Sequence, residues 1–487
     1  MTNQETNQVS RDISWWQPVI FAAMAGGMAW GIRGQYGHET GAMMAGLLVS
    51  LTLIALLCPQ ATLLNAARAV ALATVAMGFG GSMTYGQTVG LTHDVELLNN
   101  WDALRWGMLG LAIKGSLWIG FCGVFFGMGL GGVRYRWYEM FLLMAALLGA
   151  YCLGVHFLNS PFDPANKLLP QFYFSDHWQW QPDTYGEPRF ECWGGMFFAL
   201  MTAILYTGLI RRDGMACRIA FWGLLGGALG FPIGQSIQAY HAWNVEQFHQ
   251  FDIWLEENQY LPFFQHVNWW NMMETTYGCI MGATLGFGVW LHRKRIQLTQ
   301  AYGPAGMPGW FEGSLLVIHL ALLVGVEFFA VPAIGYVYDL GLCLGAIPII
   351  CIVGGRYWPY LVVFPITLLP IAGKTLRQLA IENSVIELPL GAAVYFIVPM
   401  GLFILLAFWF ANKPVDQKSG QAFARRALLA TAWMYFLLNY AFFRFPWPWD
   451  EWTGRTPNGI IFAVFIFCLT IAAVFLGLKE KRKTEDA

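Results

Sequence analysis

Continuous apolar stretches of helix-spanning length recur along this chain from its first fifty residues to its end. A helix of that length crosses the hydrocarbon core of a bilayer and satisfies its own backbone hydrogen bonds there. The strands of a membrane barrel would instead alternate apolar and polar residues. Charged residues make up 12% of the sequence, about half of their usual share in a soluble domain. The sequence therefore predicts an all-α polytopic membrane protein.

We predict about fourteen transmembrane helices from the lengths of these stretches. Trp358–Ile371 is the weakest of them, because it is short and contains Pro359, Pro365 and Pro370. The predicted segments are Trp16–Ile32, Thr40–Leu57, Ala66–Val89, Leu104–Val133, Trp137–Phe157, Cys192–Ile210, Ala216–Tyr240, Trp270–Leu291, Ser314–Val331, Ala333–Val353, Trp358–Ile371, Val385–Phe410, Ala427–Phe443 and Ile460–Leu478.

Clusters of Lys and Arg set the predicted orientation, since cytoplasmic loops are enriched in them. With alternating spans, VRYRW, RRDGMACR, HRKR, the loop 413–426 and the terminal KEKRK all lie on one side. That side is predicted to be the cytoplasm, with both termini there and the protein in the inner membrane. Without Trp358–Ile371, the last two clusters would lie outside, so the charge pattern favours counting this segment as a span.

Several classes of protein are excluded by charge and cysteine spacing. The formal net charge is −1 and no basic stripe occurs, so no nucleic-acid partner is expected. The nine cysteines form no CxxC pair, which argues against a disulfide framework or a structural zinc site. No HExxH cluster or Gly-Lys-Ser/Thr phosphate loop occurs, so the prediction includes no metal, no cofactor and no coupling to ATP.

A short polar pattern occurs twice, as GQTVGLTH at 86–93 and GQSIQAYH at 234–241. Neighbouring segments align with it, which places His38 opposite Glu191 and Lys114 close to Glu274. We therefore predict two parallel four-helix repeats, at 1–135 and 136–298, followed by a six-helix C-terminal half at 299–487. Parallel repeats would bring corresponding helix ends around a shared centre, with Gln87 and His93 opposite Gln235 and His241.

The candidate binding residues lie at the predicted outer ends of the repeat helices. Polar groups at such depth are costly to leave unpaired, so they indicate a site. The corner GIRGQYGHET combines an arginine, turn-forming glycines and a helix start, a combination that suits an anion or a polyol. The predicted set is Arg33, His38, Glu39, Gln87, His93, Asp94, Glu191, Gln235, His241 and Glu274.

Each of these residues also has a purely structural interpretation. Arg33 could pair with Glu39 and fix a tight hairpin, and the two histidines could hydrogen-bond to carbonyls at their helix ends. For Lys114 and Glu274, we expect mutual pairing across the repeat interface. The tryptophans of the outer loops fit an interfacial belt, although those within long loops could also hold ring-bearing polar solutes.

Three functions remain open on the sequence alone. The favoured one is a secondary transporter or permease for a small polar solute, carbohydrate-like or anionic, in contact with membrane lipid. The second is a membrane-embedded hydrolase or transferase with its active site on the periplasmic side. The third is a structural subunit of a membrane complex. A homo-oligomer formed through the C-terminal half is also expected. A cavity reaching past Glu274 toward the cytoplasm would favour transport, and a closed floor would favour an enzyme.

Overall fold

The computed structural model describes residues 13–485, apart from 84, 176, 182–187, 300–302, 304–305, 330, 339, 446–448 and 450. Helices joined by loops make up this described part of the chain. In chain order they are α1 (Trp16–Arg33), α2 (Thr40–Leu57), α3 (Leu63–Phe79), α4 (Gly86–His93), α5 (Trp101–Leu130), α6 (Trp137–Leu158), α7 (Trp193–Ile210), α8 (Gly214–Trp243), α9 (Val245–Glu257), α10 (Trp269–Leu291), α11 (Gly309–Glu327), α12 (Pro332–Tyr338), α13 (Gly341–Gly354), α14 (Trp358–Glu382), α15 (Leu388–Ala411), α16 (Gly420–Phe442) and α17 (Thr456–Glu485).

Ten helices of the described chain are long and apolar enough to cross a membrane. The chain is thus an all-helical protein with the composition of a multi-pass membrane protein. All fourteen predicted segments contain helix, but α1, α10, α13 and α16 fall outside the ten. α13 is only 14 residues long, and α10 carries a run of polar residues in its first half. The count of fourteen spans therefore stays a prediction.

Two predicted segments are interrupted in the structure. In the predicted segment Ala66–Val89, helix α3 ends at Phe79 and a 3-10 turn follows at Gly80–Ser82. The separate helix α4 then begins at Gly86. Gly80 packs directly on the Trp118 ring, where a Cβ atom would lie 2.1 Å from the ring. Ala333–Val353 is likewise divided into α12 and α13. Both breaks fall at polar or glycine residues, GGSMTYG at 80–86 and DLG at 339–341. The prediction joined the flanking apolar stretches across them, because it was based on the length of each span.

The segment with three prolines forms a long helix despite them. α14 runs from Trp358 to Glu382 and contains two π-helical turns, Val362–Ile366 and Arg377–Glu382. Pro365 lies inside the first of these turns, where the wider winding accommodates the missing N–H donor. Most of α14 is buried in the bundle. A membrane helix that contains prolines depends on neighbouring helices to satisfy the backbone groups that the prolines leave unpaired.

Burial divides the helices into inner and outer ones. In the 18-residue apolar stretch of α2, 100% of the residues are buried, whereas in that of α11 only 17% are buried. α3, α5 and α14 also lie inside, while α6, α15 and α17 expose most of their apolar side chains. An exposed apolar helix face is the surface that a bilayer covers.

Glycine-lined contacts join the first predicted repeat to the second. α5 and α8 touch at Gly115 and Gly227, and a Cβ atom on Gly227 would lie 1.9 Å from the Gly115 carbonyl oxygen. α1 and α10 meet in the same way at Gly26 and Gly278. Such backbone approach is the usual means of close helix association in membranes. The helices of the two predicted repeats therefore pack into one another, and the predicted boundaries at 135 and 298 stay a prediction.

Candidate functional site

The centre of the candidate site is Arg33, the last residue of α1, whose side chain is fully buried. Its Nη2 donates to Glu274 Oε1 of α10 at 2.9 Å and also to the hydroxyl of Tyr85. Its Nη1 donates to Nδ1 of His38 at 3.1 Å. Trp30 lies beneath the guanidinium, 5.0 Å from ring centre to Cζ. Arg33 thus joins the two predicted repeats through a buried ion pair.

Glu274 receives two further hydrogen bonds from residues at the start of α10. Trp270 Nε1 donates to Oε1 at 3.2 Å, and Asn271 Nδ2 donates to Oε2 at 3.3 Å. Asn271 in turn accepts from Arg455 of the C-terminal half at 2.7 Å. A buried carboxylate needs this number of donors, because its desolvation is otherwise uncompensated.

A second buried ion pair joins Lys114 of α5 to Glu191, just before α7. Lys114 Nζ lies 2.7 Å from Glu191 Oε1, and both side chains are fully buried. Lys114 also donates to the hydroxyl of Thr88 at 2.8 Å, and Glu191 accepts from the Phe174 N–H at 2.8 Å. The predicted pair of Lys114 with Glu274 is therefore wrong. α10 packs along α1, which brings Glu274 to Arg33. Lys114 instead pairs with Glu191, in the loop before α7.

An aromatic layer underlies these charges. Four aromatic residues lie three or four positions along the same helices from Arg33, Lys114, Glu274 and the buried Gln235 of α8. The aromatic layer consists of Trp30, Trp118, Phe231 and Tyr277, all buried. Trp30 contacts Trp118 and Tyr277 at 5.1 and 4.5 Å between ring centres, and Phe231 stacks on Tyr277 at 4.5 Å. The space directly beneath the Arg33–Glu274 pair is therefore filled.

The two copies of the polar pattern lie on unlike elements. The first forms the short helix α4, and the second forms the end of the 30-residue helix α8. Gln235 donates to the Thr92 hydroxyl at 2.7 Å rather than lying opposite Gln87 as its counterpart. His241 stacks on Trp269 at 4.1 Å, whereas His93 lies 6.1 Å from the neighbouring Trp270. α4 and the end of α8 are thus neighbours, but their side chains are not matched pairs.

His93, Asp94 and His177 form a cluster at the end of α4. His177 Nε2 lies 2.6 Å from Asp94 Oδ2, and His93 Nδ1 lies 3.4 Å from Oδ1. His93 Nδ1 also contacts the Val89 carbonyl at 3.0 Å, which is the helix-end hydrogen bond of the structural interpretation. Partial burial raises the pKa of Asp94, but the hydrogen bond from His177 and the charges of both imidazoles outweigh it and leave that pKa below its ordinary value. Asp94 is a partly exposed carboxylate held between two imidazoles.

Comparison with protein-family models, with curated proteins and with solved structures gives no match. The chemistry of the site must therefore be inferred from its own residues. Within the described part of the chain, no group of three or more His, Cys, Asp or Glu side chains is placed to hold a metal ion.

Residues beyond 298 add charge to residues 33–40, called here the outer corner after the predicted orientation. Lys374 of α14 lies 2.5 Å from Glu327 of α11 and donates to the Tyr36 carbonyl at 3.1 Å. Glu327 also accepts from the Thr40 hydroxyl at 2.8 Å. Burial of the His38 ring, followed by the positive charges of Arg33 and Lys374, lowers the pKa of His38 to about 3. His38 is therefore neutral at physiological pH, although its side chain is partly open to solvent.

Six of the ten predicted residues fall into three groups. Arg33, His38 and Glu274 come together, Glu191 belongs to the second ion pair, and His93 with Asp94 belongs to the loop cluster. Glu39 immediately precedes α2 and is half-buried, and Gln87 is half-buried on α4. Three other polar residues near these segments, Thr84, Glu187 and Asp339, lie outside the described residues.

Sequence reasoning missed the roles of several residues that complete the site. His177 carried a signal, as a histidine beside tryptophans in a predicted outer loop. Tyr277 carried a weaker one, one turn below Glu274. Nothing in the sequence indicated that Tyr85 and Asn271 would hydrogen-bond to Arg33 and Glu274.

Proposed function

We propose that this protein is a secondary transporter of the inner membrane for a small polar solute, carbohydrate-like or anionic, in contact with membrane lipid. The observation that carries this proposal is the presence of two fully buried ion pairs, Arg33–Glu274 and Lys114–Glu191. Ionisable groups within membrane helices are costly, and where they persist they typically mark a solute or ion path. Each pair joins residues of different predicted repeats, so a movement of one repeat against the other would change both pairs.

The interrupted helices support the same proposal. Transporters place their sites where membrane helices break, because the exposed backbone groups can then bind solute. The break between Gly80 and Gly86 lies beside Tyr85, which touches Arg33. The π-helical turn at Arg377–Glu382 follows Lys374 on α14. Two irregular helices therefore border the outer corner.

The solute class follows from the groups around the Arg33–Glu274 pair. Arg33, Lys374 and Arg455 supply positive charge, while His38 and Tyr85 supply neutral hydrogen-bonding groups. Such a set suits a carboxylate or phosphate joined to hydroxyl groups. Gluconate combines both features, and glucose and sorbitol offer hydroxyl groups alone.

The test is solute counterflow in proteoliposomes with radiolabelled gluconate, glucose and sorbitol. We expect the protein to accelerate exchange of at least one of these solutes about tenfold over protein-free liposomes, and Glu274→Gln to remove that gain. Asp102→Asn, which changes an exposed carboxylate at the start of α5, is the matched control and should exchange normally. Exchange of all three solutes at the protein-free rate would overturn the proposal.

A periplasm-facing hydrolase or transferase is the second candidate, and two observations favour it. The aromatic layer closes the floor beneath Arg33, and the Asp94–His177 pair resembles a general acid–base dyad open to solvent. Hydrolysis of p-nitrophenyl acetate or p-nitrophenyl glucoside by the purified protein, lost in Asp94→Asn, would support it. Equal rates for the wild type, Asp94→Asn and protein-free detergent would exclude this role for the dyad.

A further inference from the structure

Three ionisable side chains share the inward face of α11. Glu312, His319 and Glu327 point into the bundle, whereas Trp310 and Val317 on the opposite face are 76% and 68% exposed. Glu312 and Glu327 are separated by about 22 Å along the axis at 1.5 Å per residue. These groups therefore occupy both ends and the middle of one helix that is long enough to cross a membrane.

Each of the three groups has a defined polar environment. Glu312 Oε1 accepts from the Tyr357 N–H at 2.7 Å and the Trp358 N–H at 3.2 Å, at the start of α14. Arg68 of α3 lies close enough to interact electrostatically with Glu312. At the other end, Glu327 binds Lys374 and accepts from Thr40.

His319 occupies the middle of α11 and is 2% exposed. Its Nδ1 is hydrogen-bonded to the hydroxyl of Tyr338 on α12, and its ring centre lies 5.7 Å from that of Trp358. A histidine buried among apolar helices is costly to retain for packing alone. An imidazole can accept a proton on one ring nitrogen and release one from the other.

A small cavity lies between His319 and the outer corner. It has a volume of about 10 Å³, and its walls include Thr40, His319 and Leu323. This volume is close to that of one probe sphere, the least that holds a water molecule. Since Thr40 is also the hydrogen-bond donor to Glu327, the cavity connects Glu327 to the imidazole through one hydroxyl.

We propose that Glu327 and His319 form a proton path along the inward face of α11 and that the proton is the coupling ion of the transporter. Protonation of Glu327 from the outer solution breaks its ion pair with Lys374. The proton then passes, through the Thr40 hydroxyl and a water in the cavity, to one nitrogen of His319. When the transporter opens to the cytoplasm, the imidazole releases the proton from the same nitrogen to water on that side, toward which Glu312 lies about 10 Å further along α11. In each step one O–H or N–H bond breaks and another forms, and no other reactant is needed.

This inference rests on the proposed transport function, and its test separates the two. Gluconate, glucose and sorbitol are offered to proteoliposomes either as counterflow pairs at equal pH or with an inward pH gradient. For His319→Gln, we expect counterflow to continue and gradient-driven accumulation to fall about tenfold, because glutamine does not carry a proton at neutral pH. His156→Gln, which changes an exposed histidine of α6, should accumulate solute as the wild type does.

The outcomes are distinct for the two proposals. Counterflow by the wild type without accumulation under the pH gradient would overturn proton coupling and leave transport standing. Normal accumulation by His319→Gln would do the same. If His319→Gln does not yield a monodisperse protein, Thr40→Val decides the question, since it keeps the size of the side chain and removes the hydroxyl through which the proton passes. Unchanged accumulation by Thr40→Val would then overturn the path.

Discussion

At the scale of single residues, Arg33 determines the chemistry of the outer corner. Its guanidinium contacts a carboxylate, a phenol and an imidazole, and three aromatic rings surround it. A charge enclosed in this way is stable only while its partners remain. Glu39 is the nearby candidate partner in the sequence, but the paired carboxylate, Glu274, is 241 residues away in the chain.

The Arg33–Glu274 pair predicts a non-additive double-mutant cycle. Removal of either partner leaves the other buried and uncompensated, so Arg33→Ala and Glu274→Ala should each destabilise the protein by about 3–5 kcal/mol. The double variant should lose clearly less than the sum, because no unpaired charge remains. Thermal or denaturant unfolding in detergent measures all four forms. Additive losses would mean that the two side chains do not stabilise each other.

His38 predicts a specific dependence of stability on pH. The folded protein holds the pKa of this imidazole at about 3, whereas its ordinary value is about 6.5. The unfolded chain therefore binds a proton more readily, so stability should fall progressively as the pH decreases from about 6.5 toward 3. Unfolding midpoints measured between pH 8 and pH 5 should decrease less for His38→Asn than for the wild type. Parallel curves would show that His38 titrates normally in the folded state.

At the scale of helices, two glycine contacts hold the predicted repeats together. The Gly115–Gly227 and Gly26–Gly278 contacts let α5 and α8, and α1 and α10, approach at backbone distance. That approach brings together the helices that carry Lys114, Gln235, Arg33 and Glu274. The site therefore depends on residues that themselves carry no functional group.

Gly227→Ala tests this dependence. Its methyl group would lie 1.9 Å from the Gly115 carbonyl oxygen, which forces α5 and α8 apart, and we expect a loss of about 1–3 kcal/mol. The matched control is Gly149→Ala on α6, where no atom lies within 4 Å of the added methyl group. It should be neutral or slightly stabilising, since alanine favours helix over glycine. Equal unfolding midpoints for the two variants would contradict the close contact.

The sequence allowed the helices to be predicted better than their interruptions or their partners. Long apolar runs identify helices because each run satisfies its backbone alone. The break after Phe79 lies against Trp118, which is distant in the sequence. Arg33 pairs with Glu274 only because α10 packs along α1. Neither relation is encoded in local periodicity. The repeated GQ pattern correctly indicated a polar helix end, but the second copy continues a longer helix than the first.

At the scale of the whole molecule, charge and aromatic area occupy successive depths. The ion pairs Arg33–Glu274 and Lys114–Glu191 lie above the aromatic layer, and apolar helices such as α6 and α15 surround the bundle. In a transporter, the aromatic layer is the floor of an outward-facing state and opens when the predicted repeats move apart. In an enzyme, the same layer is a permanent wall. The two accounts differ in whether the cytoplasm ever reaches Glu274.

Thiol accessibility at the depth of Glu274 tests the account most directly. With its nine native cysteines replaced, the protein would carry Thr275→Cys, a close match in size next to Glu274 on α10. Transport predicts that a membrane-impermeant thiol reagent modifies this position from the outside and also from the cytoplasmic side, with rates that change when a transported solute is added. Modification from the outside alone, whatever the solute, would contradict the proposed transporter.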